Sequence, residues 1–114
     1  FIAWTGTNTT RNLNVMSSGD FGASWQNKVT LADTGVAGPS LLVYDNRLWL
    51  SWAGTDPNHS INTMQSLDGI HFIDKVTLWD SSDFTPVLTS CYFGDLGLVW
   101  TGRDFNHHLN IMTI

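Results

Sequence analysis

Trp52-Ala53-Gly54-Thr55-Asp56 is the middle of three related stretches in this chain, preceded by Trp4-Thr5-Gly6-Thr7-Asn8 and followed by Trp100-Thr101-Gly102-Arg103-Asp104. The tryptophans stand 48 residues apart in both steps. Each copy leads into a matching segment: Leu13-Asn14-Val15-Met16, Ile61-Asn62-Thr63-Met64 and Leu109-Asn110-Ile111-Met112. A fixed period of this size is the signature of stacked structural repeats.

The segments around the motif read as strands. Phe1-Ile2-Ala3-Trp4, Trp49-Leu50-Ser51-Trp52 and Gly97-Leu98-Val99-Trp100 are short, apolar and aromatic, and each runs into a Gly/Thr/Asx turn; they form strand B of the unit. Strand C follows over residues 13–18, 61–66 and 109–114, where apolar and polar residues alternate with period two. Two related turns come next, Ser18-Gly19-Asp20-Phe21-Gly22-Ala23-Ser24-Trp25 and Ser66-Leu67-Asp68-Gly69-Ile70-His71-Phe72. Their Ser and Asp side chains can bond nearby backbone, and their glycines supply positive φ. Strand D is Lys28-Val29-Thr30-Leu31 and Lys75-Val76-Thr77-Leu78, and strand A runs from Pro39 to Tyr44 and from Pro86 to Tyr92. Proline is tolerated at the first residue of a strand. Asp45-Asn46 and Gly94-Asp95 are hairpin signals between A and B.

Composition agrees with an all-β chain. Among 114 residues there is no Glu and there are two Lys, so common helix formers are depleted while Trp, Thr, Val, Ser and Gly remain. The net charge of −5, with no basic stripe, excludes nucleic acid as a partner. No run of about 18 apolar residues is present to cross a membrane as a helix. The lone Cys91 rules out an intrachain disulfide and reads as a small buried residue in a strand. Four short antiparallel strands per period of about 40–50 residues make the blade of a β-propeller. The chain divides into a partial blade over about 1–36, a complete one over about 37–84 and a partial one over about 85–114.

Ser18-x-Asp20-x-Gly22-x-Ser24-Trp25 resembles the Asp-box of sialidases and other Asp-box (BNR-type) β-propellers, and Ser66-x-Asp68-Gly69-x-His71-Phe72 is similar in a shorter form. The resemblance implies that Ser18, Asp20, Gly22, Trp25, Ser66, Asp68, Gly69 and Phe72 are structural, and that ligands bind on the opposite side, at the B–C and D–A loops. It also implies what a sialidase would need: three arginines, a Tyr–Glu pair and an acidic residue. Glu is missing, Arg47 lies in an A–B turn, and Tyr44 and Tyr92 lie near A–B turns. The chain therefore reads as non-enzymatic, with no cofactor and no metal; His59, His107 and His108 are loop residues whose pattern does not repeat.

The remaining expectation is carbohydrate binding. Trp79, after strand D, is the candidate stacking platform, with Arg11, Asp56, His59, Arg103, Asp104 and His107 as polar partners, since an aromatic face rimmed by polar groups suits sugars. Asn8-Thr9-Thr10 and Asn58-His59-Ser60 fit the glycosylation sequon, with turn formation the favoured reading. The terminal blades lack strand A and strand D respectively, so their edges and faces need cover. That predicts either association of the chain with copies of itself or membership of a longer propeller. Two chains carry twenty strands, enough for five four-stranded blades if terminal strands complement each other. A structural propeller piece without a ligand and a glycosidase remnant are the alternatives. The compartment is open, with secretion favoured.

Overall fold

The computed structural model describes residues 1–114 and contains ten strands and no helix. Sheet 1 holds β1 (Ile2–Thr5), β2 (Asn12–Ser17) and β3 (Gln26–Thr34); sheet 2 holds β4 (Ser40–Tyr44), β5 (Arg47–Ala53), β6 (Ser60–Ser66) and β7 (Phe72–Ser81); sheet 3 holds β8 (Val87–Ser90), β9 (Leu96–Thr101) and β10 (Leu109–Thr113). All pairings are antiparallel between sequence neighbours. The three sheets form a body of 43 × 40 × 25 Å.

Two apolar layers join the sheets. Leu13 of sheet 1 packs with Leu50, Trp52 and Met64 of sheet 2. Ile61 of sheet 2 packs with Leu88, Leu96, Leu98 and Trp100 of sheet 3. The period-two pattern explains this: successive side chains leave a strand on opposite faces, so Trp52 meets sheet 1 while Trp49 meets sheet 3. The sheets also touch by backbone, since Val36 N–H donates to the Ala53 carbonyl at 3.0 Å and Gly35 bridges Gly54.

The turns follow from their side chains. In Asp45-Asn46 both residues have positive φ (48° and 55°), as a two-residue type I′ hairpin requires. In the first Ser/Asp turn the Ser18 hydroxyl accepts from Gly22 N–H at 2.8 Å, and Asp20 accepts from Ser24 N–H at 2.8 Å and its hydroxyl at 2.5 Å. The second repeats this: Ser66 accepts from Gly69 N–H, and Asp68 from the Ile70 and His71 N–H groups, all at 2.8 Å. Bonds from Ser24 and then Ser18 lower the Asp20 carboxyl to about 2; the His71 ring and then its N–H, with Ile70 N–H, lower that of Asp68 further. Phe72 packs on the layer between sheets 1 and 2, whereas Trp25 is 41% exposed because no sheet stands on that side of sheet 1.

Three expectations change. The strand expected over Pro86–Tyr92 is shorter: β8 ends at Ser90, and residues Cys91 to Asp95 form a wide turn closed by Cys91 N–H to the Asp95 carbonyl at 2.7 Å. Cys91 is thus a half-buried turn residue, not a buried strand residue. Second, Arg47 opens β5 itself and donates to Gln65 at 3.0 Å. Third, the outer strands are longer than expected, each with two register shifts and a positive-φ residue, Asn27 or Asp74, so Trp79 lies inside β7 and not in the loop after it.

Candidate functional site

The Trp-x-Gly-x-Asx motif builds the same loop three times. Gly6, Gly54 and Gly102 donate their N–H to the carbonyls of Asn12, Ser60 and His108 at 2.7, 2.9 and 2.8 Å. Asn8, Asp56 and Asp104 fold their side chains back into the loop, accepting from the N–H of Asn12, Ser60 and His108. This fold-back explains the glycine. A Cβ there would sit 2.6–2.7 Å from the Asx Oδ1 in every copy and 3.1–3.3 Å from the amide of Asn14, Asn62 or Asn110. The left-handed residue that closes each loop is Arg11, His59 or His107, with φ of 51–58°.

These bonds set the carboxylate electrostatics. Partial burial raises the Asp56 carboxyl, but the Ser60 hydroxyl, the Ser60 N–H and the Asn58 N–H outweigh it and the net shift is downward. Asp104 behaves alike: burial raises it, and the His108 ring and N–H bring it below its ordinary value. Both stay ionised near neutrality. Asn8 bonds within its own loop, which is the turn-forming role expected of the sequon asparagines.

Between sheets 1 and 2 the second of these loops and the end of β3 frame a pocket of about 650 Å³. Trp52 forms its floor, and the Lys75 ammonium lies 5.4 Å from the Trp52 ring centroid while pairing with Asp33 of β3. Thr77 donates to Asn62 at 2.6 Å, and Asn62 donates to the Ser60 carbonyl at 2.8 Å. Asp56, Ser60 and Thr55 edge the opening. The same set recurs on sheet 1: a 340 Å³ pocket holds Trp4 with Lys28 at 5.6 Å, and Thr30 donates to Asn14 at 2.7 Å. Here Asn8 replaces Asp56, and no carboxylate faces Lys28 across a sheet junction. Hydroxyls, amides, an ammonium and carboxylates around an aromatic floor are groups that bind polyhydroxylated ligands.

The residues singled out in the sequence divide into three places. Trp79 is fully exposed beside a 230 Å³ depression that shares Ser60 and Thr77 with the main pocket, so Trp79 and Asp56 border one continuous region. His59 and Arg103 meet on Asp83 instead, at 2.6 and 2.8 Å, and Arg103 also donates to the Asn58 carbonyl at 2.8 Å; this cluster ties together three loops. Arg11 stands apart, donating to the Gly35 and Val36 carbonyls, and His107 closes its own loop. Asp104 pairs with His108 at 2.6 Å. No three His, Cys, Asp or Glu side chains converge as a metal would need.

Lys75, Asn62, Asp33 and Asp83 were not singled out in the sequence. Lys75 was within reach, because Lys28 and Lys75 are the only lysines and hold one repeat position. Asn62 was too, as part of the Asn14, Asn62, Asn110 series. Asp33 repeats as well, as Asp80 five residues after Lys75, but its partner Lys75 lies across a sheet junction; Asp83 has no counterpart in the preceding repeat. No protein-family model and no curated protein matches the chain.

Proposed function

We propose that the chain is a non-catalytic β-propeller unit of the Asp-box kind that binds carbohydrate in the pocket between adjoining sheets and completes its ring with further copies of itself. One observation carries the binding reading. The Trp, Asn, Lys and Thr of the pocket recur at equivalent positions of sheets 1 and 2, at similar distances. Glycan-array screening followed by calorimetry on the best ligand tests it. Lys75→Ala and Trp79→Ala are each expected to weaken binding at least tenfold with the fold retained by near-UV circular dichroism. An empty array, or affinity untouched by both variants, would sink the reading.

Association rests on the end faces. Leu109 and Ile111 are 79% and 70% exposed on sheet 3, whereas Ile61 and Thr63, their equivalents on sheet 2, are covered by the next sheet at 0% and 2%. The strands fall as three, four and three, so two chains would bring six sheets, not five of four strands. Solution mass by light scattering tests this; a strictly monomeric, stable chain contradicts ring completion by copies.

The reading without a ligand has its own support. Lys75 is already paired with Asp33, and Asp56 is already bonded by Ser60 and Asn58, so the pocket's charges are satisfied within the protein. The array result separates the two.

A further inference from the structure

The outer strands of sheets 1 and 2 bulge at one equivalent place. Asn62 pairs with Thr77 and Ser60 with Ser81, so two steps along β6 are matched by four along β7. The surplus residues leave the ladder, and such bulges re-aim the side chains they carry. Leu78 turns into the apolar layer shared with sheet 3, and Trp79 stands fully in solvent. Sheet 1 bulges in the same way, with Asn12 on Thr34 and Asn14 on Thr30, Leu31 in its layer and Ala32 outside. Ala32 is exposed although sheet 2 packs beside it, so this position stays open to solvent next to a neighbouring sheet. Of the two bulges, that of sheet 2 carries an aromatic ring.

Trp79 joins a larger region. With Asn58, Ser60, Thr77 and Leu78 it lines the depression of about 230 Å³, and Ser60 and Thr77 also line the 650 Å³ pocket. Pockets of about 300–1,000 Å³ take drug-sized ligands, so the joined region is larger than one sugar ring fills. Its chemistry changes along its length. In the main pocket the neutral side-chain donors are spent: Asn62 on the Ser60 carbonyl at 2.8 Å, Thr77 on Asn62 at 2.6 Å and the Ser60 hydroxyl on Asp56 at 2.8 Å. Lys75 keeps donors beyond its contact with Asp33. The carboxylate oxygens of Asp33 and Asp56 accept from hydroxyl groups and repel a further anion. Towards Trp79 the donors are unspent: Asn58 bonds through its backbone alone, its N–H to Asp56 and its carbonyl to Arg103, which leaves its side-chain amide free.

We infer, building on the carbohydrate reading, that the ligand is a neutral oligosaccharide rather than a single sugar. One ring sits among Asp56, Lys75 and Asn62, and the next stacks on Trp79 with its hydroxyls on the Asn58 amide. The indole supplies a flat apolar face, and the amide both a donor and an acceptor. Trp79 is then the residue that selects for chain length.

Homologous ladders of one to four rings of glucose, mannose, galactose or N-acetylglucosamine, titrated calorimetrically into the intact chain, test this. For the sugar that binds, affinity is expected to rise at least tenfold between one ring and three. Trp79→Ala, at a fully exposed position, is expected to remove that gain and leave the single-ring affinity unchanged. In NMR spectra the Trp79 indole N–H should shift with two or more rings and stay in place with one. Glucuronic acid is expected to bind at least threefold more weakly than glucose. Binding of equal strength along the ladder, or a Trp79→Ala loss as large for one ring as for three, overturns the inference while leaving carbohydrate binding intact. Tighter binding of the uronic acid overturns the neutral class. No binding on any ladder removes the carbohydrate reading and this inference together.

Discussion

Leu13, Ile61 and Leu109 occupy one position of the repeat, yet the first two are 0% exposed and the third is 79% exposed. Truncating each to alanine is therefore a single perturbation in two settings. At Leu13 it removes buried carbons from the layer with Leu50, Trp52 and Met64, and at Ile61 from the layer with Leu98 and Trp100. Lost transfer energy plus a residual cavity puts Leu→Ala and Ile→Ala at such sites at about 2–5 kcal/mol. With roughly 4 °C or more of melting temperature per kcal/mol for a domain near this size, each should lose about 10 °C. Leu109→Ala touches no such layer and should stay within about 0.5 kcal/mol. Urea unfolding followed by tryptophan fluorescence, run at low and at high protein concentration, reads all three. If copies cover sheet 3, the Leu109→Ala cost appears only at high concentration, since a partner stabilises by about 2.7 kcal/mol at a hundredfold excess over Kd. A Leu109→Ala cost equal to that of Ile61→Ala in a dilute monomer would refute this account of which faces are covered, and so would an Ile61→Ala cost below about 1 kcal/mol.

Asp20→Asn should destabilise near neutrality: the folded carboxyl lies at about 2, below its ordinary 3.8, so its contribution is complete above 3.8 and fades as pH falls towards 2. Melting curves across that range should show variant and parent converging; a constant gap contradicts the assignment. Gly69→Ala and Gly94→Ala both place a side chain at positive φ (74° and 82°), but only at Gly69 would the new Cβ meet an atom, 2.1 Å from the Phe1 ring. Gly94→Ala should cost on the order of 1 kcal/mol and Gly69→Ala clearly more, with the excess relieved in a Phe1→Ala background. Asn62→Ala leaves the Thr77 hydroxyl and the Ser60 carbonyl without their side-chain partner and should cost about 1–3 kcal/mol, more than Asn110→Ala, where no Thr faces the amide.

What could be read from the sequence was whatever repeats locally. The strand order, the Asp45-Asn46 hairpin and the two Ser/Asp turns are each fixed by residues within a few positions of one another. The loops after Trp4, Trp52 and Trp100 belong here too, although the reason for their glycine appears only when Asn8, Asp56 and Asp104 are seen folding back against it. The same fold-back changes the standing of Asp56 and Asp104, whose oxygens already accept loop N–H groups. The limits are physical as well. Two register shifts in β7 extend it to Ser81 and carry Trp79 out of the expected loop, and a bulge has no composition signature beyond Asp74 at positive φ. The widened turn after Ser90 displaces Cys91 from its strand, though its neighbours Tyr92 and Phe93 look strand-forming.

The candidate site was hidden for a further reason. A pocket between sheets takes one wall from one repeat and one from the next, so its chemistry depends on residues that hold different repeat positions. Trp4 and Trp52 sit in near-identical local sequence, and each has a lysine about 5.5 Å from its ring. Yet Lys75 is neutralised by Asp33 of the preceding sheet and Trp52 is 1% exposed, while Lys28 meets no such carboxylate and Trp4 is only half-buried. The same residues thus make a pocket with two carboxylates against one ammonium at one junction and a cationic one with no carboxylate on the free face. Under the proposed carbohydrate reading, preference should therefore follow the junction more than the motif: Asp33→Asn, which leaves every motif residue in place, should shift the main pocket towards the charge of the sheet 1 pocket and favour anionic over neutral glycans. An unaltered preference would mean that the motif residues alone set the chemistry of the pocket.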